Sequence, residues 1–148
     1  MRGLIQRVSR AKVTVDTEVT GEIGPGMLLF LGAGEGDTEE DLDYVLEKSL
    51  NLRIFADDAG KMNLSLLDTT GSLLVVSQFT LYADTRRGRR PSFTGAMAPG
   101  PAEAMYELFV TRARERGVHV QTGRFAAMMN VELVNDGPVT LMIDSRDR

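Results

Sequence analysis

The sequence predicts an α+β domain in which two helices flank a mixed or mostly antiparallel sheet that curls into a barrel-like form. Short alternating or continuous apolar runs, typical of strands, recur along the whole chain, whereas only two segments carry apolar residues at helical spacing. The length of 148 residues, with 43% hydrophobic and 26% charged residues, fits one globular domain. We therefore treat residues 1–148 as a single domain.

The strands are predicted from two patterns. Apolar and polar residues alternate near the start of the chain, as in Leu4, Gln6 and Val8, which is typical of a half-buried strand. Continuous apolar runs are typical of fully buried strands. The predicted strands cover 4–15, 19–23, 27–31, 53–55, 73–76, 118–121, 126–134 and 139–143. Turns are predicted at 25–26 and 57–60, because Pro, Gly and Asp cluster there.

The two helices are predicted from signals at their ends. Thr38 can cap the first helix, acidic residues follow it where they favour the helix dipole, and the helix runs to about Leu50. Pro101 fits the first position of the second helix, and Gly117 fits the position after its end. The apolar face of the second helix holds Ala102, Met105, Tyr106, Phe109 and Ala113.

The composition excludes several classes of functional site. The chain has no cysteine, which excludes a disulfide framework, a zinc–thiolate site, an iron–sulfur cluster and a cysteine nucleophile. Its single histidine, His119, excludes a site built from several histidines, and we expect it to be structural or exposed. We therefore predict neither a metal nor a cofactor.

The chain is expected to be a cytoplasmic protein that binds no membrane. No apolar run approaches the roughly 18 residues that a transmembrane helix needs, and charged residues interrupt the start of the chain, unlike in a secretory signal peptide. A net charge of −4 argues against a protein that coats nucleic acid without specificity, but it is compatible with one local basic site.

Polar residues directly follow the apolar run 73–76, which is predicted to be a buried strand. Ser77, Gln78 and Thr80, together with Phe79, would place hydroxyl, amide and backbone N–H donors at a sheet edge, where sites are often built on rigid elements. The alternative is that these groups only satisfy the backbone of a loop, and residue types alone do not decide between the two.

A dense group of arginines follows that segment. Four of the 14 arginines of the chain stand within 85–91, namely Arg86, Arg87, Arg89 and Arg90. On an acidic protein such density is typical of a phosphate contact. A solvated basic loop is the alternative, and the adjoining polar segment favours phosphate binding.

Two further segments carry glycine between predicted elements. The glycine-rich stretch 32–36 lacks the lysine of a phosphate-binding loop, and Glu35 and Asp37 would repel an anion, so we predict a plain strand-to-helix loop. Gly137-Pro138 predicts a turn between two strands. The sequence does not reveal the isomer of the Pro138 peptide bond.

Taken together, these segments resemble the bacterial D-aminoacyl-tRNA deacylase family. The motifs that carry the resemblance are Ser77-Gln78-Phe79-Thr80, the arginine-rich stretch running into Arg90-Pro91-Ser92-Phe93, Gln121-Thr122-Gly123-Arg124-Phe125, and Asn135-Asp136-Gly137-Pro138-Val139-Thr140. The opening Ile5-Gln6-Arg7-Val8 and the segment Gly60-Lys61-Met62-Asn63-Leu64 fit too, so the resemblance runs from residue 1 to about residue 143.

The resemblance implies a homodimeric hydrolase with a β-barrel-like fold flanked by helices. Its family removes D-amino acids mistakenly esterified to tRNA, which proofreads chirality in translation. The implied partners are the aminoacylated 3′ end of tRNA and a second copy of the chain. The resemblance also implies that Ser77, Gln78, Phe79 and Thr80 of one subunit meet a Gly-cisPro motif inserted from the other.

Residue roles follow from the same resemblance. Gly137 and Pro138 match the Gly-cisPro motif, which would select chirality, and Arg7 matches an arginine that braces the Gly-Pro carbonyls. Phe125 and Met129 match positions that line a pocket for the terminal adenosine. If the Gly-Pro carbonyls exclude an L side chain, glycyl-tRNA has nothing to exclude, and glycine mischarged on tRNA(Ala) becomes an expected substrate.

The chemical route stays open on the sequence alone. The chain offers no evident His–Asp pair to activate a serine, so we favour attack by water, with the oxyanion held by backbone N–H groups near Phe79 and Thr80. The resemblance implies help from the 2′-OH of the tRNA. A covalent route through Thr80 is the alternative. Rival functions are an RNA-binding module without catalysis and a small-molecule esterase.

Overall fold

The computed structural model describes every residue from Met1 to Arg148. It contains eight strands, two α-helices and a short 3₁₀ helix, Phe79–Tyr82. The strands are β1 (Arg2–Val15), β2 (Glu18–Ile23), β3 (Gly26–Gly32), β4 (Phe55–Ala56), β5 (Met62–Leu64), β6 (Ser72–Ser77), β7 (Val120–Thr122) and β8 (Asn130–Asp144). The helices are α1 (Glu39–Asn51) and α2 (Pro99–Glu115). The predicted α+β class with two main helices is confirmed.

Strand β1 organises the main sheet, because both of its edges are paired. On one edge its first half pairs antiparallel with β3 and its second half pairs antiparallel with β2. The other edge pairs antiparallel with β8 from Arg2 to Thr14. Strands β6 and β7 extend the sheet beyond β3 in parallel, so the sheet is mixed. The path of hydrogen-bonded neighbours is β2-β1-β3-β6-β7, and β8 is attached to the other edge of β1.

The sheet is nearly closed, because its two ends approach each other where β2 lies against β7. A Cβ atom at Gly21 of β2 would stand 2.4 Å from the carbonyl oxygen of Thr122 in β7. Only glycine allows two backbones to lie this close. The barrel-like form is confirmed, and we call the contact between Gly21 and Thr122 the barrel seam.

Two apolar cores lie on the two faces of the sheet. The smaller lies inside the barrel and contains Val8, Ala11, Val13, Ile23, Leu28, Leu74 and Val76. The larger lies between the sheet and the two helices. Along β3, Met27, Leu29 and Leu31 point to the helices, whereas Leu28 points into the barrel. Because both faces of β3 are buried, its sequence is a continuous apolar run.

The ends of the helices follow the predicted signals with one difference. Thr38 precedes α1, and its N–H donates to Oδ2 of Asp41 at 2.9 Å. Gly117 follows the end of α2, as predicted. Helix α2 begins at Pro99, so the predicted start at Pro101 is wrong by two residues. Proline is tolerated at several positions of a first turn, where the N–H has no partner in the helix, and Pro101 therefore did not mark the start.

The C-terminal strand differs most from the prediction. The sequence predicts two strands separated by a turn, whereas β8 is one strand of 15 residues. Its pairing with β1 passes from Gln6–Thr140 directly to Val8–Asn135, so residues 136–139 are looped out of the ladder. We call residues 136–139 the Gly-Pro bulge.

Three other predicted strands have shifted bounds. The strand predicted from residue 126 begins at Asn130, because Ala126 adopts a left-handed conformation at φ 63° within a turn. The strand predicted at 118–121 is β7, two residues later at its start. The strand predicted at 53–55 is reduced to β4, which pairs with β5 in a separate two-stranded sheet. Strands of two and three residues are too short to give a periodic signal.

Neither α-helix is long and apolar enough to cross a membrane.

Gly21→Ala should lower the free energy of unfolding by about 1–3 kcal/mol, because the new methyl group would press on the backbone of Thr122 at the barrel seam. Gly24→Ala is the matched control, since a Cβ atom at Gly24 would meet no atom within 4 Å. Urea denaturation of the two variants measures the difference. Equal stability of both would mean that β2 and β7 are not in close contact.

Candidate active site

An apolar cleft of about 670 Å³ opens where β6 ends. Its size is typical of a site for a small organic group. Seventeen of the 21 residues that line it are hydrophobic. They come from Met1, the end of β3, the end of β6, the first half of α2, and the segments 93–98 and 125–131. The cleft is therefore assembled from segments that lie far apart in the sequence.

The floor of the cleft is the junction between β6 and the 3₁₀ helix. Ser77, Gln78 and Phe79 line the cleft, whereas Thr80 lies just outside its lining and is exposed. The N–H of Gln78 donates to the carbonyl of Leu31 at 2.8 Å, which ties the junction to β3. The first N–H groups of a 3₁₀ helix have no partner within that helix. Phe79 and Thr80 therefore carry backbone donors that the helix itself does not use.

The side chains of Gln78 and Thr80 form a pair at the start of the 3₁₀ helix. Nε2 of Gln78 donates to Oγ1 of Thr80. This bond occupies one lone pair of the hydroxyl and leaves its proton available to another acceptor. Neither residue contacts a carboxylate or an imidazole that could remove that proton.

The side wall of the cleft combines Tyr106 of α2 with Phe125 and Met129. The hydroxyl of Tyr106 donates to the carbonyl of Val75 at 2.8 Å, and burial raises its pKa to about 12, so it stays neutral. The rings of Tyr106 and Phe125 are tilted with their centroids 6.0 Å apart. The cleft thus presents aromatic and thioether groups on this side.

The mouth of the cleft is an exposed apolar rim. The rings of Phe79 and Phe93 meet edge to face with centroids 5.2 Å apart. Phe79 is 55% exposed and Met128 is 91% exposed. Exposed apolar patches are typical of binding surfaces, so the rim is a candidate contact face.

The cleft contains no group suited to general acid or base catalysis. No carboxylate and no imidazole lines it, and its one phenol, Tyr106, stays neutral. His119 lies elsewhere and is exposed. The structure holds no group of three or more His, Cys, Asp or Glu residues that could hold a metal ion. The polar groups that the cleft itself presents are the backbone and the side chains of Ser77 and Gln78 and the hydroxyl of Tyr106.

The Gly-Pro bulge lies outside the cleft of its own chain. Neither Gly137 nor Pro138 lines the cleft, and neither does Arg7. Gly137 has φ +122°, a conformation that favours glycine, and its peptide bond to Pro138 is cis. Both residues are exposed, so the bulge projects from the surface.

Arg7 holds the base of the bulge. Its Nε donates to the carbonyl of Asp136 at 3.2 Å, and its Nη1 donates to the carbonyl of Ile54 at 2.7 Å. The carbonyl that it braces is thus the one preceding Gly137, not that of Gly137 or Pro138. A Cβ atom at Gly137 would stand 2.9 Å from Nη2 of Arg7, so a larger residue there would displace the guanidinium.

The amide of Asn135 closes the other side of the bulge. In the orientation that satisfies both of its ends, the amide nitrogen donates to the carbonyls of Arg7 and Val139 at 3.0 and 3.1 Å. Its oxygen then accepts from Nε2 of Gln6 and from Oγ1 of Thr140. The bulge is therefore held by side chains at each end, although it has left the β-ladder.

The predicted arginines lie on an exposed loop, residues 84–92, which we call the arginine loop. Its ends are joined by two backbone hydrogen bonds between Asp84 and Ser92, of 2.7 and 3.0 Å. Arg86 donates to both carboxylate oxygens of Asp84, which lowers the pKa of Asp84 to about 2. Arg87, Arg89 and Arg90 are exposed and form no ion pair within the chain.

The family follows from comparison with known proteins. The family model described as D-Tyr-tRNA(Tyr) deacylase matches residues 4–144. This chain belongs to the D-aminoacyl-tRNA deacylase family. A D-aminoacyl-tRNA deacylase of Dehalococcoides mccartyi is 57% identical over 148 residues, which covers 100% of this chain and 97% of that relative. A Roseiflexus deacylase is 59% identical over 145 residues, which covers 98% of this chain and 94% of that relative.

Solved structures agree with the fold of the deacylase. A structure of a c-Myc DNA unwinding element binding protein has a TM-score of 0.91 at 38% identity and covers 97% of this chain and 98% of its own. A probable eukaryotic D-amino acid tRNA deacylase has a TM-score of 0.82 at 20% identity, with the same coverage. The predicted family, fold class and enzyme class are confirmed: the chain is a hydrolase that acts on D-aminoacyl-tRNA.

Several residues of the cleft carry no signal in the sequence of the deacylase. Tyr106 is predicted only as part of a buried helix face, and Met97 and Met128 belong to no predicted site. Apolar residues that line a cleft have the same residue types and spacing as those of a core. Only their position in the folded chain distinguishes them.

Proposed function

We propose that the cleft of one chain and the Gly-Pro bulge of a second chain form one site, which hydrolyses the D-aminoacyl ester at the 3′ end of tRNA and rejects the L-aminoacyl ester. One observation carries the proposal: the segment that matches the chirality motif projects into solvent, away from the cleft of its own chain. A two-fold axis would bring the bulge of each chain to the cleft of the other, because a two-fold interface uses the same surface twice.

The long edge strand β8 supports a second copy of the chain. It pairs only with β1, so its other edge is free. Val134, Leu141 and Met142 are all more than one-third exposed on this strand. A long free strand edge with exposed apolar residues is a surface that proteins usually cover. The same strand carries the Gly-Pro bulge, so an interface along β8 would bring the bulge to the partner.

The apolar cleft suits the terminal adenosine of tRNA. Phe125 and Met129 offer an aromatic face and a polarizable sulfur to a purine ring. The ester at the adjoining ribose would then lie over the floor, near Phe79 and Thr80. This arrangement recognises a part that all tRNAs share, so it places no demand on the identity of the amino acid.

Hydrolysis is proposed to proceed by direct attack of water. The water oxygen adds to the ester carbonyl carbon, the tetrahedral oxyanion accepts from the N–H groups of Phe79 and Thr80, and the ribose oxygen leaves with a proton. A single such donor is typically worth about 10²–10³ in rate. Because the cleft has no carboxylate or imidazole, the neighbouring ribose 2′-OH is the available group to orient the water.

Chirality is proposed to be selected by exclusion. D- and L-esters carry the same groups and differ only in the direction of the side chain, so a shared hydrogen bond does not separate them. Backbone carbonyl oxygens of Gly137 and Pro138 would occupy the space of an L side chain. The ends of the bulge are held by Arg7 at the carbonyl of Asp136 and by Asn135 at the carbonyl of Val139. A D side chain would point away, so many D-amino acids would be accepted.

Deacylation of D-alanyl-, L-alanyl- and glycyl-tRNA(Ala) at one enzyme concentration tests this function. We expect rapid release of D-alanine and of glycine, whereas L-alanyl-tRNA should remain intact. Glycine has no side chain for the carbonyl oxygens of Gly137 and Pro138 to exclude. Resistance of the glycyl ester beside rapid D-alanyl release would show that the site reads the D side chain itself. No release from any ester would favour an RNA-binding module, and hydrolysis of simple esters without tRNA would favour a general esterase.

Thr80→Ala should retain measurable activity and Thr80→Ser should be mild, because the hydroxyl of Thr80 is paired with Gln78 and has no base beside it. We expect a loss of about tenfold for the alanine variant, on the order of one hydrogen bond. Single-turnover deacylation measures the rate. Complete loss, together with an acyl group trapped on Thr80 in mass spectrometry, would establish the covalent route instead.

The arginine loop is proposed to contact phosphates of the acceptor stem. The Arg89→Ala/Arg90→Ala variant should weaken tRNA binding and lower the salt slope of log K by about 0.7–0.9 per lost phosphate contact. Arg10→Ala/Arg53→Ala is the matched control, since both residues are exposed and unpaired with carboxylates. Equal salt slopes for the two variants would mean that the arginine loop faces solvent and contacts no phosphate.

We also propose that the protein acts in the cytoplasm, because the proposed substrate, aminoacyl-tRNA, is used there.

A further inference from the structure

The glycine-rich loop between β3 and α1 is built around a buried charge. The side chain of Asp37 is 1% exposed, and its Oδ2 accepts from the N–H of Gly34 at 2.6 Å and from the α-ammonium group of Met1 at 2.7 Å. Its Oδ1 accepts from Nη2 of Arg146 at 3.1 Å. A carboxylate this buried is stable only when paired and hydrogen-bonded. The loop is therefore more than the plain connection that its sequence predicts.

Asp37 also contacts the 3₁₀ helix that floors the cleft. Tyr82, the last residue of that helix, donates from its hydroxyl to Oδ2 of Asp37 at 3.3 Å. The ring of Tyr82 is 6% exposed and contacts the guanidinium groups of Arg2 and Arg146, at 4.5 and 5.7 Å from its centroid. A Cβ atom at Gly34 would stand 2.6 Å from the same ring. Tyr82 is thus fixed at its hydroxyl and on its ring.

The residue before Tyr82 is fixed by the same cluster of charges. Nη1 of Arg2 donates to the carbonyl of Leu81 at 2.8 Å, while its Nε donates to Asp144 at 2.9 Å. The 3₁₀ helix has only four residues, so a displacement of Leu81 and Tyr82 displaces Phe79 and Thr80 as well. Burial and the charge of Asp37 raise the pKa of Tyr82, which keeps its hydroxyl a donor.

The Asp37 loop supports the opposite rim of the cleft too. The N–H of Glu35 donates to the carbonyl of Gly95 at 2.9 Å, and the N–H of Met97 donates to the carbonyl of Ala33 at 3.0 Å. Both Ala33 and Met97 line the cleft. One loop therefore holds the floor through Tyr82 and the rim through two backbone hydrogen bonds.

We infer that Asp37 is a positioning residue for the deacylation reaction, which acts through Tyr82 to hold the backbone N–H groups of Phe79 and Thr80 where the oxyanion forms. This inference rests on the proposed role of those two groups. Asp37 touches neither substrate nor reacting atoms. Loss of its bond to the Tyr82 hydroxyl should lower kcat and leave KM almost unchanged, because the apolar binding surfaces do not depend on that hydroxyl.

Tyr82→Phe is the sharpest test, since it removes only the hydroxyl that reaches Asp37. We expect kcat for D-aminoacyl-tRNA to fall about tenfold or more with KM within about twofold. The amides of Leu81 and Ala83, which bond within the 3₁₀ helix, should also exchange hydrogen faster. Tyr44→Phe is the matched control: cations also contact the ring of Tyr44, but its hydroxyl makes no hydrogen bond.

Asp37→Asn provides the second variant, because it keeps the shape of the side chain and removes its charge. If it folds, as judged by circular dichroism and urea unfolding, its kcat should fall at least as far as that of Tyr82→Phe. If it does not fold, Tyr82→Phe alone decides. A folded Tyr82→Phe enzyme with wild-type kcat, or with reduced kcat and unchanged exchange at Leu81 and Ala83, would overturn the inference.

The wild-type chain separates this inference from the proposed function. If wild-type protein fails to cleave D-aminoacyl-tRNA or cleaves L-aminoacyl-tRNA equally well, the proposed function fails. Amide hydrogen exchange at Leu81 and Ala83 in Tyr82→Phe still shows whether the bond from Tyr82 to Asp37 holds the helix. Exchange at the wild-type rate would overturn the inference in that case too. If the wild type is active and selective while both variants match it, only the inference about Asp37 fails.

Discussion

The hydrogen-bond ladders of β1 determine where the floor of the cleft and the Gly-Pro bulge lie. One edge of β1 carries β3, and through β3 it carries β6 and the 3₁₀ helix that floors the cleft. The other edge carries β8, whose bulge leaves the ladder opposite Arg7, between the Gln6–Thr140 and Val8–Asn135 pairs. The floor of the cleft and the Gly-Pro bulge are thus attached to opposite edges of one strand, and a single chain does not bring them together.

An apolar cleft without acids or bases limits the chemistry that the protein can perform on its own. The ester at the end of a tRNA is already activated, so orientation of water and stabilisation of the oxyanion are the main requirements. Backbone donors meet the second requirement only if they are held rigidly. The buried carboxylate of Asp37 binds Tyr82 at the end of the 3₁₀ helix, whose first N–H groups are the proposed donors to the oxyanion.

Local features of the deacylase are readable from the sequence, whereas long-range ones are not. The cap at Thr38, the glycine after α2 and the apolar run of β3 all depend on residues within a few positions of one another. The bulge in β8 depends on pairing with a strand about 130 residues away, and the pairing of Asp37 with Tyr82 joins residues on different elements. The sequence therefore predicts the class of the fold and the motifs of the site, but not the ion pairs and cleft walls that distant segments create.

Sedimentation and deacylation measured together over a dilution series test the central claim, that the site needs two chains. If the Gly-Pro bulge of one chain completes the cleft of another, chirality-selective activity per chain should fall in proportion to the fraction of dimer. A monomer that retains full activity towards D-aminoacyl-tRNA and still spares L-aminoacyl-tRNA would contradict the claim.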